Sequence, residues 1–360
     1  MSENPAPAAS VDSLVFRPMQ PTEDDLRLFL KCFNDNGLPR SIDLLRWQYL
    51  EPPAGKLYVD VAMMPAGDGF AAIYATFPVA MRAAGRRADG VQSLNTLTDE
   101  AFRGKGLFSR MAKAVYARCR DEGVALVYGF PNGNSAHGFF NRLEWKSLDP
   151  MPFMIRPLRT GYVLRRLRAG WLARVVNLPL TLSRKPKLTA GRRLTTVAAI
   201  GPEFDAVWNA FAASIGFAVE RDAEYLAWRL RRPGEDYECI ALMEGERPIG
   251  LAITGVKRGA KGEVVGKLME LMFDPADEEA GKALVRTALA RLSAAGCGAA
   301  WAWNFEHSPN HAVLRGAGFV TLPPKWHPDE LHAGARPFAP LEGIEQRDRW
   351  YVSLLDSDTD

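Results

Sequence analysis

The feature that most constrains how this chain can fold is that its second half repeats its first. Asp222–Pro233 (D-A-E-Y-L-A-W-R-L-R-R-P) matches Asp43–Pro52, Ile240–Ile253 with its turn at Gly245 matches Val61–Tyr74, and Ala299–Phe319, ending G-A-G-F, matches Ala125–Trp145. The offset between paired segments drifts only from about 181 to about 174 residues, so the match holds in register from end to end. At 360 residues the chain is too long for one ordinary domain and suits two.

The first half reads as follows. Leu14–Pro18 is a strand, and Thr22–Asn34 is a helix with Thr22 as its N-cap and Leu26, Phe29, Leu30 and Phe33 on one face. A second helix, Asp43–Leu50, is ended by Pro52-Pro53. Leu57–Met64 and Phe70–Phe77 are β-rich runs separated by P-A-G-D-G, a hairpin signal; Val79–Ala84 is a further strand before a turn at Gly85–Gly90 and a central strand at Val91–Thr98. Helical spacing of Phe108, Met111, Ala112, Val115 and Tyr116 then marks a helix to Arg120, followed by a strand at Ala125–Phe130 and a helix at Ser135–Leu143.

Between the central strand and its helix lies Arg103-Gly104-Lys105-Gly106-Leu107-Phe108. Two residues without Cβ allow close backbone approach, and the peptide N–H groups there are the unsatisfied donors of a helix's first turn. That combination suits an anion, and Arg103 and Lys105 add charge. The spacing is neither the G-x-x-x-x-G-K-S/T of a nucleotide P-loop nor the G-x-G-x-x-G of a dinucleotide fold. It resembles the R/Q-x-x-G-x-G/A signature of the GCN5-related N-acetyltransferases (GNATs), with Phe108 where that signature has Gly or Ala. The element order of both halves is similar to the whole GNAT fold. The fold class expected is therefore mixed α/β: two tandem GNAT-like domains, each a mixed, largely antiparallel sheet flanked by helices. The boundaries expected are a loose tail at residues 1–13, a catalytic domain at 14–156, a linker at 157–193 and a second domain at 194–360.

The resemblance implies acetyl-CoA as co-substrate, its pantetheine splayed between Leu94–Thr98 and Val124–Phe130. Backbone groups of Leu97 and Thr98 would bind the pantetheine, and N–H groups from Arg103 through Gly104, Lys105, Gly106, Leu107 and Phe108 to Ser109 would bind the phosphates. Asn134 lies near the family's N-x-x-A asparagine, shifted by one residue, and the tyrosine that follows that motif aligns with Phe140. An attacking amine resembling lysine starts as an ammonium with a pKa of about 10, whereas a thiol near 8.5 departs almost unaided, so a base matters more than an acid. Candidates for the base are Glu100 at the end of the central strand, Tyr128 in the next strand and His137 on the following helix. Asp99, with Asp356 and Asp358 of the C-terminal D-S-D-T-D, would suit a cationic amine acceptor; Glu270 and Glu306 are further carboxylates that the repeat could present to the acceptor.

The second half carries D-P-A-D-E-E-A-G-K where the first has its anion loop. Four carboxylates there would repel a pyrophosphate, so one active and one degenerate domain are expected. Residues 150–202 hold no acidic residue but many arginines and lysines, and Leu164, Leu167, Trp171, Val175 and Leu178 fall at helical spacing. That linker is a connector or a weak membrane-surface contact. A net charge of +3 is too small to argue for nucleic-acid binding. Four scattered cysteines, none in a C-x-x-C pair, suggest reduced thiols in a cytoplasmic protein and no metal site. The function expected is N-acetylation of a small-molecule amine: an amino-sugar or nucleotide amino-sugar of surface-polysaccharide synthesis, or else an aminoglycoside, polyamine or amino-acid derivative. Fem-type aminoacyl transferases pair similar domains but generally lack the glycine-rich loop, and a non-catalytic CoA-binding regulatory module is the remaining alternative. The sequence leaves the oligomeric state open.

Overall fold

The computed structural model describes residues 10–166, 176–180, 186–259 and 262–357. The sequence expectations for the tail at 1–9, for the Leu167, Trp171 and Val175 positions of the linker stripe, and for Asp358 fall outside those residues. The chain divides into two compact units: Met1–Met81 with Arg87–Leu148 and Leu331–Glu345, and Arg82–Arg86 with Asp149–Glu330 and Gln346–Asp360.

The first unit runs β1 (Val15–Pro18), α1 (Glu23–Asp35), α2 (Ile42–Tyr49), β2 (Tyr58–Met63), β3 (Phe70–Ala83), β4 (Arg86–Thr98), α3 (Leu107–Asp121), β5 (Leu126–Gly129), α4 (Gly133–His137) and β6 (Lys146–Ser147). Thr22 caps α1 by accepting from the Asp25 N–H at 3.3 Å, and Ser41 caps α2 through the Leu44 N–H at 3.1 Å. The residues just before β1 differ from the loose tail expected, since Val11–Ser13 form a short turn closed by Ser10. The strand division also differs. β3 continues through Pro78 to Ala83, and the hairpin to β4 is the tight Ala84-Gly85 turn, with φ of 49° and 78°. Two left-handed residues match the twist of the strands they join, which frees Arg86–Gly90 to extend β4.

Two apolar layers sandwich this sheet. Leu107, Met111, Ala112, Val115 and Tyr116 of α3 pack with Tyr74, Val91, Val127, Phe139 and Trp145 on one face. On the other face, Leu26, Phe29 and Phe33 of α1 and Leu45 and Tyr49 of α2 pack with Val59, Val61, Phe70, Ile73 and Leu97. The apolar spacing of α1 and α3 read in the sequence is the spacing of these buried faces.

The second unit runs β7 (Phe153–Pro157), α5 (Thr160–Arg166), β8 (Arg192–Val197), α6 (Asp205–Phe211), β9 (Ala218–Val219), α7 (Ala223–Arg229), β10 (Tyr237–Glu244), β11 (Arg247–Arg258), β12 (Val264–Phe273), α8 (Glu278–Ala294), β13 (Ala299–Trp303), α9 (His311–Gly316) and β14 (Val320–Thr321). Its sheet order is β14-β7-β13-β12-β11-β10-β8. A last strand, β15 (Gly334–Pro337), belongs to the first unit, whose order is β1-β2-β3-β4-β5-β15-β6.

The units are thus not the contiguous blocks expected at 14–156 and 194–360. β7, just past the first repeat, pairs with β13 (Ala302↔Met154) and β14, while β15, late in the second repeat, pairs with β5 (Ala335↔Tyr128) and β6. Each sheet would otherwise leave the edge of β5 or β13 unpaired, and an unpaired edge is a row of unsatisfied backbone groups. Alternation along a strand cannot say which edge it will cover.

Candidate functional site

β4 and β5 run parallel over only four pairs: Gly90↔Leu126, Val91↔Val127, Gln92↔Tyr128 and Ser93↔Gly129. β5 ends there, while β4 continues through Leu94 to Thr98. The two strands therefore form a wedge whose vertex is Ser93 and Gly129. No side chain fits at Gly129, because a Cβ there would lie 2.8 Å from the Ser93 carbonyl oxygen. Just past the vertex, Asn95 has φ of 49°, a left-handed residue inside a strand. Its amide is tied to α2, donating from Nδ2 to Gln48 Oε1 at 2.9 Å and to the Tyr49 hydroxyl at 3.0 Å. Leu97 packs on the α1/α2 layer, so strand alternation puts Thr96 on the opposite face, where its Oγ1 is buried without a hydrogen-bond partner among the described residues.

The Arg103–Phe108 loop follows. Gly104 and Gly106 have φ of 75° and 80°, a conformation that favours glycine, and none of the described residues lies within 4 Å of where a Cβ would stand on either. Gly106 is the N-cap of α3 and offers no side chain to the first-turn N–H groups, which lie at the positive end of the helix dipole. Arg103 reaches back from Nε to the Thr98 carbonyl at 3.3 Å, and Lys105 Nζ lies 5.2 Å from the Phe102 ring centroid. Ser109 Oγ, in that first turn, is a second buried hydroxyl without a partner among the described residues. Phe108, the departure from the signature, turns its ring into the α3 layer, 5.1 Å from Phe139 and 5.9 Å from Tyr74. Gly138 makes the room: a Cβ there would lie 2.7 Å from the Phe108 ring.

Beneath the vertex runs a buried polar chain. Trp145 Nε1 donates to the Tyr116 hydroxyl at 2.9 Å, Tyr116 and Tyr74 share a hydrogen bond of 2.6 Å, and the Tyr74 and Ser93 hydroxyls are 3.1 Å apart. Burial pushes both phenols above the usual tyrosine range, so they stay protonated.

The remaining sequence candidates are spread out. Asp99 caps the short turn that leaves β4, accepting from the Ala101 N–H at 3.0 Å and from Asn36 Nδ2 at 3.1 Å. Glu100 is exposed and pairs with Arg103 at 3.5 Å. Tyr128 is buried and donates to Gln92 Oε1 at 2.8 Å across the last parallel pairs. His137 is exposed, with Nδ1 2.7 Å from Asn141 Nδ2. The asparagine that shapes the start of α4 is Asn132, which accepts from the Ser135 N–H at 3.1 Å, whereas Asn134 is exposed. Phe140 packs against β15, so close that a Cβ at Gly334 would lie 2.7 Å from its ring. The sequence reading missed Ser93, Asn95 and Gly129. Only Asn95 left a trace, since asparagine is among the few residues that tolerate a left-handed backbone.

In the second unit the Asp356 side chain is not part of an exposed acidic tip. It is buried and accepts from Arg221 Nη2 at 2.6 Å, and the same guanidinium donates from Nε to Glu270 at 3.0 Å. Glu306 pairs with Arg347. The second unit repeats the wedge, with β12 and β13 parallel only over Val265–Lys267, but fills it with its own side chains: Asn310 Nδ2 donates to the Leu271 carbonyl at 2.8 Å and Tyr351 bonds Glu270. At the start of α8, Asp277 accepts from the Ala280 N–H at 3.1 Å and pairs with Arg192 at 2.7 Å. The helix start that an anion would need is already held by a carboxylate.

The acetyltransferase (GNAT) domain family matches residues 19–147, the stretch that contains the wedge and the loop. No curated protein matches the chain in sequence. Among solved structures, the chain is similar to Saccharomyces cerevisiae N-myristoyltransferase with bound myristoyl-CoA, at a TM-score of 0.60 and 13% identity over 93% of this chain and 84% of that one. It is similar to a GCN5-related N-acetyltransferase from Anabaena variabilis, at a TM-score of 0.59 and 10% identity over 90% and 73% of the two chains. It also resembles a probable N-acyltransferase from Enterococcus faecalis, at 0.57 and 12% identity over 93% and 74%. Those similarities span both repeats and show the shared fold. Residues 19–147 are a domain of the acetyltransferase (GNAT) family, and the chain as a whole shares its fold with these structures.

Proposed function

We propose that the chain transfers an acetyl group from acetyl-CoA to the amine of a small molecule. The observation that carries this is the meeting, in one unit, of the β4–β5 wedge and its left-handed Asn95 with the uncapped glycine start of α3. The residues present fit CoA. The N–H groups from Arg103 to Ser109, with Arg103 and Lys105, would hold the phosphates; the backbone of Leu97 and Thr98 would hold the pantetheine. Thr96 and Ser109 offer buried hydroxyls that have no hydrogen-bond partner among the described residues. Bound there, the co-substrate supplies an activated acyl thioester.

The chain's own residues do the rest. The cationic amine is held by carboxylates, among which Asp99 lies nearest the wedge in sequence. Its proton passes to Glu100 or His137, whose side chains are exposed, while the Tyr128 hydroxyl is committed to Gln92. The acceptor class we favour is an amino-sugar carrying phosphate, for which the acid-free stretch at residues 150–202 is the support. The experiment is thiol release from acetyl-CoA across nucleotide amino-sugars, aminoglycosides, polyamines and amino acids, with a myristoyl-CoA arm and mass analysis of the product. Amine-dependent release with an acetylated amino-sugar supports the reading. Binding of CoA without release for any amine would replace it with the regulatory-module alternative.

A further inference from the structure

Residues 176–180 of the second unit are pinned against the start of α5, with a bridge between Arg159 and Pro179. The Thr160 N–H donates to the Leu178 carbonyl at 2.9 Å, and the Thr160 hydroxyl accepts from the Leu178 N–H at 2.9 Å and donates to the Val176 carbonyl at 3.1 Å. The Leu180 N–H donates to the Leu158 carbonyl at 2.7 Å. Asn177 turns inward: its Oδ1 fills the space beside Gly161, where a Cβ would lie 2.6 Å away. Its neighbours of alternate position face out, and Val176, Leu178 and Leu180 are 39%, 63% and 39% exposed. A hydrogen-bonded backbone thus holds three large apolar side chains in water within five residues, which is not the scatter of single exposed leucines that any surface shows.

The same end of the second sheet gathers cations. The Leu158 and Arg159 N–H groups donate to the Gly298 carbonyl, the Gly298 N–H donates to the Val264 carbonyl, and Val264 is the partner of Arg258 across β11 and β12. Burial pushes the Cys297 thiol up to about 11, and the positive charges of Arg258 and Arg159 act on it in the opposite sense, so both guanidiniums stand near this end. Arg165, Lys257 and Arg258 are exposed, and none is in an ion pair among the described residues. Glu263 is the carboxylate on the turn that links β11 to β12, against Lys257, Arg258 and Lys261 in sequence. Residues 150–202 carry eleven lysines and arginines and no acid; of these, Arg192 and Arg193 are paired with Glu244, Asp277 and Glu246.

A nucleic acid or an acidic protein would be met by the cations alone. Cations interleaved with held-out apolar side chains match a bilayer, where charge finds anionic headgroups and the apolar side chains reach the acyl boundary. We propose that this end of the second unit docks on a membrane surface rich in anionic lipid, with Leu178 inserting and Arg165, Lys257 and Arg258 contacting headgroups. The proposal is independent of the acyl-CoA reading, since it uses no residue of the wedge or the glycine loop.

The test is co-sedimentation of the full chain with vesicles of phosphatidylcholine, alone or mixed with phosphatidylserine. Wild type binds the mixed vesicles and not the neutral ones, and added salt releases it. Each cation at such a surface contributes about fivefold to partitioning, so Arg165→Ala with Arg258→Ala weakens binding roughly 25-fold. Leu178→Ser removes an inserted side chain and no charge, and weakens binding about tenfold. Trp326→Ser is the control: Trp326 is 61% exposed, but it stands beside the Phe153 end of β7, where the Leu322 N–H meets the Phe153 carbonyl, and its loss leaves binding unchanged. All the substituted side chains are exposed, so thermal melts coincide with wild type. Failure of the folded wild type to bind the mixed vesicles overturns the proposal. So does binding that Leu178→Ser leaves intact, the mark of a surface for polyanions, or binding that Trp326→Ser weakens equally, the mark of unspecific adhesion.

Discussion

Substituting Gly106 separates an anion site from a mere turn. At φ of 80° any side chain costs about 1 kcal/mol of backbone strain, and Gly106→Ala and Gly106→Asp pay it alike. Neither meets a steric obstacle among the described residues, none of which lies within 4 Å of the Cβ position. They differ in charge. A carboxylate at about 4 Å from a phosphate oxygen is repelled by about 4 kcal/mol at an effective dielectric of about 20. Solvent exposure and salt reduce that to about 2 kcal/mol, or roughly thirtyfold in Kd. The backbone strain falls on free and bound protein alike, so Gly106→Ala leaves the CoA Kd within about threefold. Calorimetric titration of CoA at low and at about 1 M salt reads both effects, and the gap between the variants closes at high salt as the Debye length shrinks to about 3 Å. Equal weakening by Ala and Asp at every salt concentration would mean that loop shape, not anion recognition, is what the glycine provides. No weakening by either would place CoA elsewhere.

Two further predictions concern stability. Arg221 is fully buried between Glu270 and Asp356, so Arg221→Met strands two carboxylates and costs about 3–5 kcal/mol, lowering Tm by roughly ten degrees; adding Glu270→Gln and Asp356→Asn recovers most of it. A melt that moves no more than for a surface substitution would refute the pairing. Burial alone would raise the pKa of Asp25, but the Arg17 fork at 2.6 and 2.7 Å and the Gln20 N–H outweigh it and hold the carboxyl below its ordinary value. A folded pKa below the unfolded one contributes stability above the usual carboxylate range and loses it as pH falls through the folded value. Chemical denaturation across that range therefore finds the gap between wild type and Asp25→Asn closing with acidification, and a constant gap would count against it.

What could be read from the sequence was whatever has a period or a cap. The buried faces of α1 and α3, the Thr22 and Ser41 caps and the glycine start of α3 are local, so residues a few positions apart carry them. The repeat was legible because both halves keep the same spacing. The sheet edges were not, because pairing Ala335 with Tyr128 joins residues far apart in the chain, which no local pattern encodes. The site divides the same way. The loop from Arg103 to Ser109 is a contiguous motif, whereas the Ser93–Tyr74–Tyr116–Trp145 chain draws one residue each from two strands, a helix and a loop. Asp356 was misjudged for a related reason: an acidic C-terminal run suggests a solvated tail, and only the buried Arg221, distant in sequence, draws it inward.

The exchange of β7 and β15 bears on how the protein is made. β6 has its partner in β15, so the first sheet is incomplete until the ribosome has passed Pro337, long after β6 itself has emerged. A nascent chain emerging at about 5–20 residues per second spends that interval with the edge of β5 open to misassembly. Cutting the gene between the repeats would leave each fragment missing a strand, and supplying β15 as a separate peptide is the direct way to complete the first one.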